Sequence, residues 1–211
     1  LSMREAVASE TPARSATSRT GACGTPGTVA AEHALTYGHL LGELVRRVDG
    51  RRPAEFVAAE IGFDFGYALS DADIARCADL EHADPRGITE EPGSVRARAI
   101  GNPPGARDVA VVNSPLWRSA SVPAVNLHAT AMGVARLYAG LLARPIGATM
   151  ATAQFTGFDH FIGAETVWAL GVQIEPDGSW GMGGLGGSCG WADPAADLTI
   201  GYVTRRLGDF A

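Results

Sequence analysis

The sequence predicts an α+β fold in which helices come first and an antiparallel sheet follows at the C-terminal end. Apolar residues recur at helical spacing in several segments between residues 29 and 143. After residue 164 the period shortens to that of strands, and the turn pairs Asp177-Gly178 and Asp193-Pro194 separate strand-like runs. We assign one domain to residues 29–211. Residues 1–28, rich in Ser, Thr, Ala and Arg, are expected to be disordered or poorly ordered.

Two helices are predicted at the start of the domain. In "EHALTYGHLLGELVRRVDG", residues 32–50, leucines and valines recur at helical spacing, and Asp49-Gly50 ends the pattern. In residues 51–62, Pro53 suits the first turn of a second helix and Gly62 is a stop signal. The two segments therefore predict neighbouring helices joined by a short turn.

The middle of the chain carries weaker signals. "FDFGYAL", residues 63–69, alternates like a strand, and Ser70 is a candidate cap for a short helix after it. Residues 82–125 contain many prolines and little periodicity, which predicts a loop-rich excursion that could line a cleft. Residues 126–143 predict a further helix. Its expected apolar face is made of Met132, Val134, Leu137, Leu141 and Leu142.

Composition excludes several classes of function. The net charge of −6 and the lack of a basic run argue against a nucleic-acid partner. No run of about 18 apolar residues is present, so we expect no membrane span, and no secretory leader is recognised. Three cysteines without metal-like spacing predict free thiols, a cytoplasmic location, and no metal or cofactor. All 17 residues counted as Lys or Arg are arginine, so the chain contains no lysine.

The stretch "GMGGLGGSCGWADP", Gly181 to Pro194, has three readings. A phosphate loop would have to open a helix, but a strand-like segment follows here. Gly186 to Gly190 matches G-x-S-x-G, yet a nucleophile elbow needs a histidine further along, and the last histidine is His160. The third reading is a strand whose glycines allow a second backbone or a ligand to approach closely.

Three stretches in order resemble the serine β-lactamase-like superfamily, in the branch of family VIII carboxylesterases and class C β-lactamase relatives. They are "PGTVAAEHALTYGHLLGELVRRVDGR", "NLHATAMGVARLYAGLL" and "GMGGLGGSCGWADPAADLTIGYVTRRL". The resemblance runs from about Gly24 to Leu207 and covers the C-terminal half of such proteins. It implies a β-lactamase/transpeptidase-like fold and acyl-enzyme chemistry on a serine activated by lysine in Ser-x-x-Lys.

This chain departs from the family pattern at each catalytic element. Ser-x-x-Lys cannot occur without lysine, and arginine cannot replace it as a base because its pKa is above about 12. The position of the family's proton-relaying tyrosine is Glu32, and the position of its histidine or lysine on the glycine-rich strand is Met182. The resemblance further implies a substrate cleft. Its expected residues are His33, Tyr37, Gly183, Gly184, Gly186 and Gly187.

The resemblance and these departures imply a truncated or degenerate member of the superfamily that is not a serine hydrolase on its own. The alternative is an active ester hydrolase or acyltransferase that uses a different set, with Glu32 or His33 as base, or a native chain with its own upstream Ser-x-x-Lys. The expected ligand is a small acyl ester or lactam. An apolar face left uncovered by a missing half would favour a homo-oligomer or a complementary chain.

His39 and Glu43, four residues apart on one helix, have a spacing that a metal could use. A solvent-facing pair is the preferred interpretation of this spacing.

Overall fold

The computed structural model describes residues 34–62, 64–84, 90–101 and 105–208. The predictions for residues 1–28, Glu32 and His33 fall outside these ranges. The helices of the described part are α1 (Thr36–Val48), α2 (Pro53–Glu60), α3 (Asp71–Ile74), α4 (Val95–Ile100), α5 (Val109–Val112), α6 (Pro115–Arg118), α7 (Ala131–Leu142) and α8 (Pro145–Met150).

In the described residues the strands form one main sheet and two small ones. Strands of the main sheet are β4 (Phe155–Asp159), β5 (Ala164–Trp168), β6 (Gln173–Ile174), β7 (Trp180–Gly183), β8 (Cys189–Asp193) and β9 (Leu198–Tyr202). They pair antiparallel in sequence order, with β4 and β9 at the edges. β1 (Phe65–Gly66) pairs with β3 (His128–Ala129), and β2 (Glu81–His82) pairs with β10 (Arg206–Leu207). The predicted α+β order, helices before an antiparallel sheet, is confirmed.

Local signals placed several elements correctly. The Ser70 hydroxyl accepts a hydrogen bond from the Asp73 amide at 3.3 Å and caps α3. Asp177-Gly178 lies in the hairpin between β6 and β7, where the Gly178 amide donates to the Glu175 carbonyl at 2.9 Å. The turn at Asp193-Pro194 joins β8 to β9, as predicted.

Other boundaries differ from the prediction. The strand expected over residues 63–69 is limited to Phe65–Gly66 in the described residues. The helix expected over 126–143 begins only after Thr130, whose hydroxyl accepts from the Gly133 amide at 3.0 Å and caps α7. Met132, assigned to the apolar face, is 58% exposed, because it lies in the first turn on the side away from the core.

The excursion at 82–125 contains more regular structure than expected. Three short helices, α4, α5 and α6, lie in it. Each begins with a polar cap: Ser94 accepts from the Ala97 amide, Asp108 from the Ala110 amide, and Ser114 from the Trp117 amide. These helices are four to six residues long, which is too short for apolar periodicity to be recognised in the sequence.

Helix α7 packs on one face of the main sheet. The core there consists of Tyr138, Val172, Trp180 and Ala192, and Val134, Leu141 and Leu142 pack against it. The helix approaches the sheet closely because glycines face it. A Cβ on Gly201 of β9 would lie 2.7 Å from the Ala135 amide nitrogen and closer still to the Ala131 carbonyl oxygen. The backbone of α7 thus rests on that of β9.

The opposite face of the sheet carries exposed apolar side chains. Leu198, Ile200 and Tyr202 alternate along β9 and are 50%, 52% and 54% exposed. Among the strands that the structure describes, β9 has β8 on one side only, so its other edge is unpaired. The homo-oligomer or complementary chain that the resemblance implies stays a prediction.

The chain end returns to the helical part. β10 runs parallel to β2, with Glu81 N–H donating to the Arg205 carbonyl and Ala83 N–H to the Leu207 carbonyl, both at 2.8 Å. The Glu81 carboxylate also accepts from Arg205 at 2.8 Å. Separately, every helix in the described residues is too short or too polar to cross a bilayer.

Gly201→Ala should destabilise the fold by about 2 kcal/mol, because the new methyl group overlaps the backbone of α7 and forces the helix away from the sheet. Chemical denaturation followed by circular dichroism measures this change. Gly140→Ala is the matched control: a Cβ at that position in α7 has no neighbour within 4 Å, so stability should rise by up to about 1 kcal/mol. Equal effects of the two substitutions would contradict the packing described.

Candidate substrate cleft

A cleft of about 1560 Å³ lies between the helical part and the main sheet. The sheet contributes β7 and the start of β8, and the helical part contributes the β1–α3 segment, α6 and the loop before α7. Its lining contains both apolar residues such as Trp117 and Leu137 and polar ones such as Arg118 and His128.

The structure brings some of the predicted site residues together. Met182, Gly183 and Gly184 line the cleft in succession on and just after β7. Gly186 and Gly187 lie in the turn that follows, where Gly186 forms an isolated bridge with Gly208. These two glycines are not among the lining residues.

Tyr37 is not among the residues that line this cleft. A Cβ on Gly171, in the turn between β5 and β6, would lie 2.8 Å from the Tyr37 hydroxyl oxygen, so the hydroxyl lies against that turn. Burial raises the pKa of the Tyr37 phenol, which keeps the group protonated at neutral pH. In this position Tyr37 joins α1 to the sheet.

The glycines of the stretch from Gly181 to Pro194 allow close approach, which is the third of the readings above. A Cβ on Gly190 would overlap the Tyr138 ring and lie 2.7 Å from Val134 Cγ1. A Cβ on Gly181 would overlap the Gly190 carbonyl oxygen and the Trp191 ring. Neither a nucleophile elbow nor a helix-opening phosphate loop is formed, because β8 follows the turn as a strand.

Tyr138 lines the cleft and was not singled out in the sequence. Its ring lies 5.7 Å from that of Trp180, centroid to centroid. Burial raises the pKa of Tyr138 to about 12, while a hydrogen bond from the Met182 backbone acts in the opposite direction. The phenol is therefore neutral at physiological pH. Its position four residues after Val134 and three before Leu141 is the helical signal that could have identified it.

Two serines line the cleft among the described residues, Ser70 and Ser188. The Ser70 hydroxyl donates to the Asp73 carboxylate at 2.7 Å while capping α3. The Ser188 hydroxyl accepts from the Thr204 amide at 3.2 Å. Each hydrogen bond is of the kind that stabilises a turn or a cap, and neither pairs the serine with a histidine, as nucleophile activation would require.

The helical wall of the cleft contains a buried arginine. Arg118, at the end of α6, is 5% exposed. Its Nη2 donates to the Ala78 carbonyl at 3.1 Å, the Asp79 carboxylate at 2.9 Å and the Asn113 side-chain oxygen at 3.1 Å. Arg118 thereby ties α6 to the loop before β2.

His128 lies on β3 and lines the same cleft as Arg118. Its Nδ1 is 2.9 Å from the Asn126 carbonyl oxygen, so Nδ1 carries the proton, because a carbonyl only accepts. Burial lowers the pKa of His128, and the charge of Arg118 lowers it further. Asn126 is itself 3% exposed, and its side-chain amide donates to the Trp117 and Ala120 carbonyls.

The helical pair His39 and Glu43 behaves as a surface feature. The Glu43 carboxylate accepts from Arg46 at 2.8 Å and from Arg47 at 2.7 Å. Hydrogen bonds from these two guanidinium groups lower the pKa of Glu43 to about 2. The carboxylate is thus engaged by its own helix, which agrees with the solvent-facing interpretation.

Comparison with known proteins identifies the family of this cleft. The family model described as β-lactamase matches residues 2–211. The esterase/β-lactamase LipL of Mycobacterium tuberculosis is 30% identical to this chain over an alignment that covers 84% of this chain and 48% of that protein.

Two solved structures agree with this result. A penicillin-binding protein homologue from Caulobacter crescentus is 29% identical, with a TM-score of 0.69 over 86% of this chain and 54% of its own. A family VIII carboxylesterase is 26% identical, with a TM-score of 0.72 over 87% of this chain and 55% of its own.

The chain spans about half the length of these relatives. The family model nevertheless covers nearly the whole chain, and the likeness to solved structures extends over its helices and its sheet together. The chain belongs to the β-lactamase family.

Proposed function

We propose that this chain forms the ligand-facing wall of a β-lactamase-family acyl cleft and does not hydrolyse esters or lactams by itself. The observation that carries the proposal is chemical. The chain contains no lysine, and the two cleft serines of the described part are engaged by Asp73 and by the Thr204 amide. An acyl-enzyme requires a serine whose proton is removed by a neighbouring base.

The glycine-rich strand supports the same proposal. At the place where the family has a histidine or lysine, Met182 presents a thioether, which has no proton to donate at neutral pH and no charge. Tyr138, the neutral phenol nearest to this strand, cannot serve as a base, because burial raises its pKa to about 12. A cleft of this composition can bind an acyl ligand and leave its carbonyl unattacked.

A second candidate function is favoured by one observation. LipL, named as an esterase/β-lactamase, is 30% identical to this chain. In that case the chain would hydrolyse esters with a non-standard set, in which Glu32 or His33 serves as base. Loss of activity in Glu32→Gln, with a pH profile governed by one acid group, would distinguish this candidate.

The purified 211-residue chain should hydrolyse p-nitrophenyl butyrate and nitrocefin no faster than a Ser188→Ala variant. The physical reason is that the Ser70 hydroxyl is engaged in capping α3 and the Ser188 hydroxyl accepts from the Thr204 amide, so neither serine is paired with a histidine. Absorbance assays measure both rates, and circular dichroism confirms that the samples are folded. Turnover above that of the variant, or labelling of a serine by a fluorophosphonate probe, would contradict the proposal.

Met182→His should leave the hydrolysis rate unchanged. The substitution restores the family's group on the strand, but an imidazole there assists binding and does not supply a primed serine. The same nitrophenyl ester assay measures the result, with Met182→Leu as the matched control for size. A gain in rate in the histidine variant alone would show that the serine is already primed.

A further inference from the structure

The buried guanidinium of Arg118 has donors left over. All its hydrogen bonds to described residues run from Nη2, and the buried Nε has no acceptor. A guanidinium carries five N–H donors, and an unpaired donor away from water costs free energy. Nη1 donates to no described residue and, unlike Nε, is not fully buried, so the cation retains donor capacity on a residue that lines the cleft.

The ion pair of Arg118 compensates its charge only weakly. Its partner Asp79 has a side chain that is 76% exposed, whereas the Arg118 side chain is 6% exposed. A carboxylate in water is screened by solvent, so the pair contributes little to offset the burial of the cation. Arg118 differs in this respect from Arg96 and Arg107, which also line the cleft and lie 3.0 Å and 4.0 Å from the largely buried carboxylate of Glu90.

His128 adds a second group to the same wall. Because Nδ1 holds its proton on the Asn126 carbonyl, Nε2 is the nitrogen that accepts when the ring is neutral and donates when it is protonated. Burial lowers the pKa of His128, and repulsion between Arg118 and the protonated ring lowers it further. An anion beside both groups would remove that repulsion.

We propose that Arg118 and His128 form a subsite that binds the carboxylate of a small organic acid in the cleft. A guanidinium matches the planar carboxylate, and one permanent cation beside a histidine suits a monoanion. Trp117 and Leu127 also line the cleft and supply apolar surface for the rest of the acid.

The subsite depends on the proposed function in one respect only: both place the ligand in the same cleft. Binding by Arg118 does not require that a serine be activated or inactive. Hydrolysis in the assays described under the proposed function would overturn that function and leave the subsite standing. Failure of the binding experiment described next would overturn the subsite and leave the proposed function standing.

The test compares butyrate with butyramide, which has nearly the same shape and no charge. Isothermal titration calorimetry on the full chain should show that butyrate binds about tenfold or more tightly than butyramide. In NMR spectra, butyrate should raise the pKa of His128, since a nearby negative charge favours the imidazolium, and butyramide should not. Equal binding of the two probes, or no binding of butyrate at millimolar concentrations, would overturn the proposal.

Two substitutions separate ligand binding from folding. Arg118→Met should weaken butyrate binding about tenfold or more, while Arg136→Gln, an exposed arginine outside the cleft lining, should not change it. Asp79→Asn should strengthen binding about threefold, because an exposed, competing carboxylate is removed from Nη2. Should Arg118→Met fail to fold, Asp79→Asn decides the matter: unchanged or weaker butyrate binding in that variant would show that Arg118 is structural only.

Discussion

The contact between helix α7 and the main sheet is the constraint on which the rest of the described structure depends. At Gly190 and Gly201 the sheet has no side chain, so the helix lies directly on the backbone of β8 and β9. This approach places Tyr138 over Gly190 and beside Trp180, in the centre of the core. Because β7 pairs with β8, the same contact fixes how far Met182 and Gly183 lie from the helical wall. Core packing and cleft shape therefore have one common origin.

Sequence patterns predicted the elements whose signals are local. The cap at Ser70, the hairpin at Asp177-Gly178 and the turn at Asp193-Pro194 follow from turn and cap chemistry within four or five residues. The family resemblance, carried by three short motifs, supplied the fold class and the strand that faces the cleft. Of the candidate residues, Met182, Gly183 and Gly184 are found on the lining, and Glu32 and His33 lie outside the described residues.

The remaining features depend on contacts between distant parts of the chain. Arg118 reaches Asp79 across 39 positions, and the pairing of β2 with β10 joins segments separated by more than a hundred residues. No spacing rule connects such pairs, since they arise only when the helices and the sheet have packed. The burial of Tyr138 was missed for a different reason. A tyrosine in a helix is compatible with either the surface or the core, and only the glycine opposite it in β8 decides between them.

The packing that builds the scaffold depends on other positions than the candidate catalytic ones. Packing of α7 on the sheet requires glycine at positions 190 and 201. It does not depend on which side chain stands at position 182, or on whether the basic residues are lysine or arginine. An all-arginine complement of cations keeps its charge at every accessible pH, so such groups can hold anions but cannot exchange protons. The arginines that line the cleft therefore favour anion binding over proton transfer.

The pairing of β10 with β2 has a mechanical consequence. Before its first strand, the sheet is joined to the helical part by the covalent link from α8 to β4. After its last strand, β10 is joined to the helical part by hydrogen bonds from the Glu81 and Ala83 amides. Because the sheet is attached at both ends, it cannot rotate away from the helical part about a single hinge. Displacement of the sheet from the helical part would therefore have to twist the sheet or break the pairing of β2 with β10.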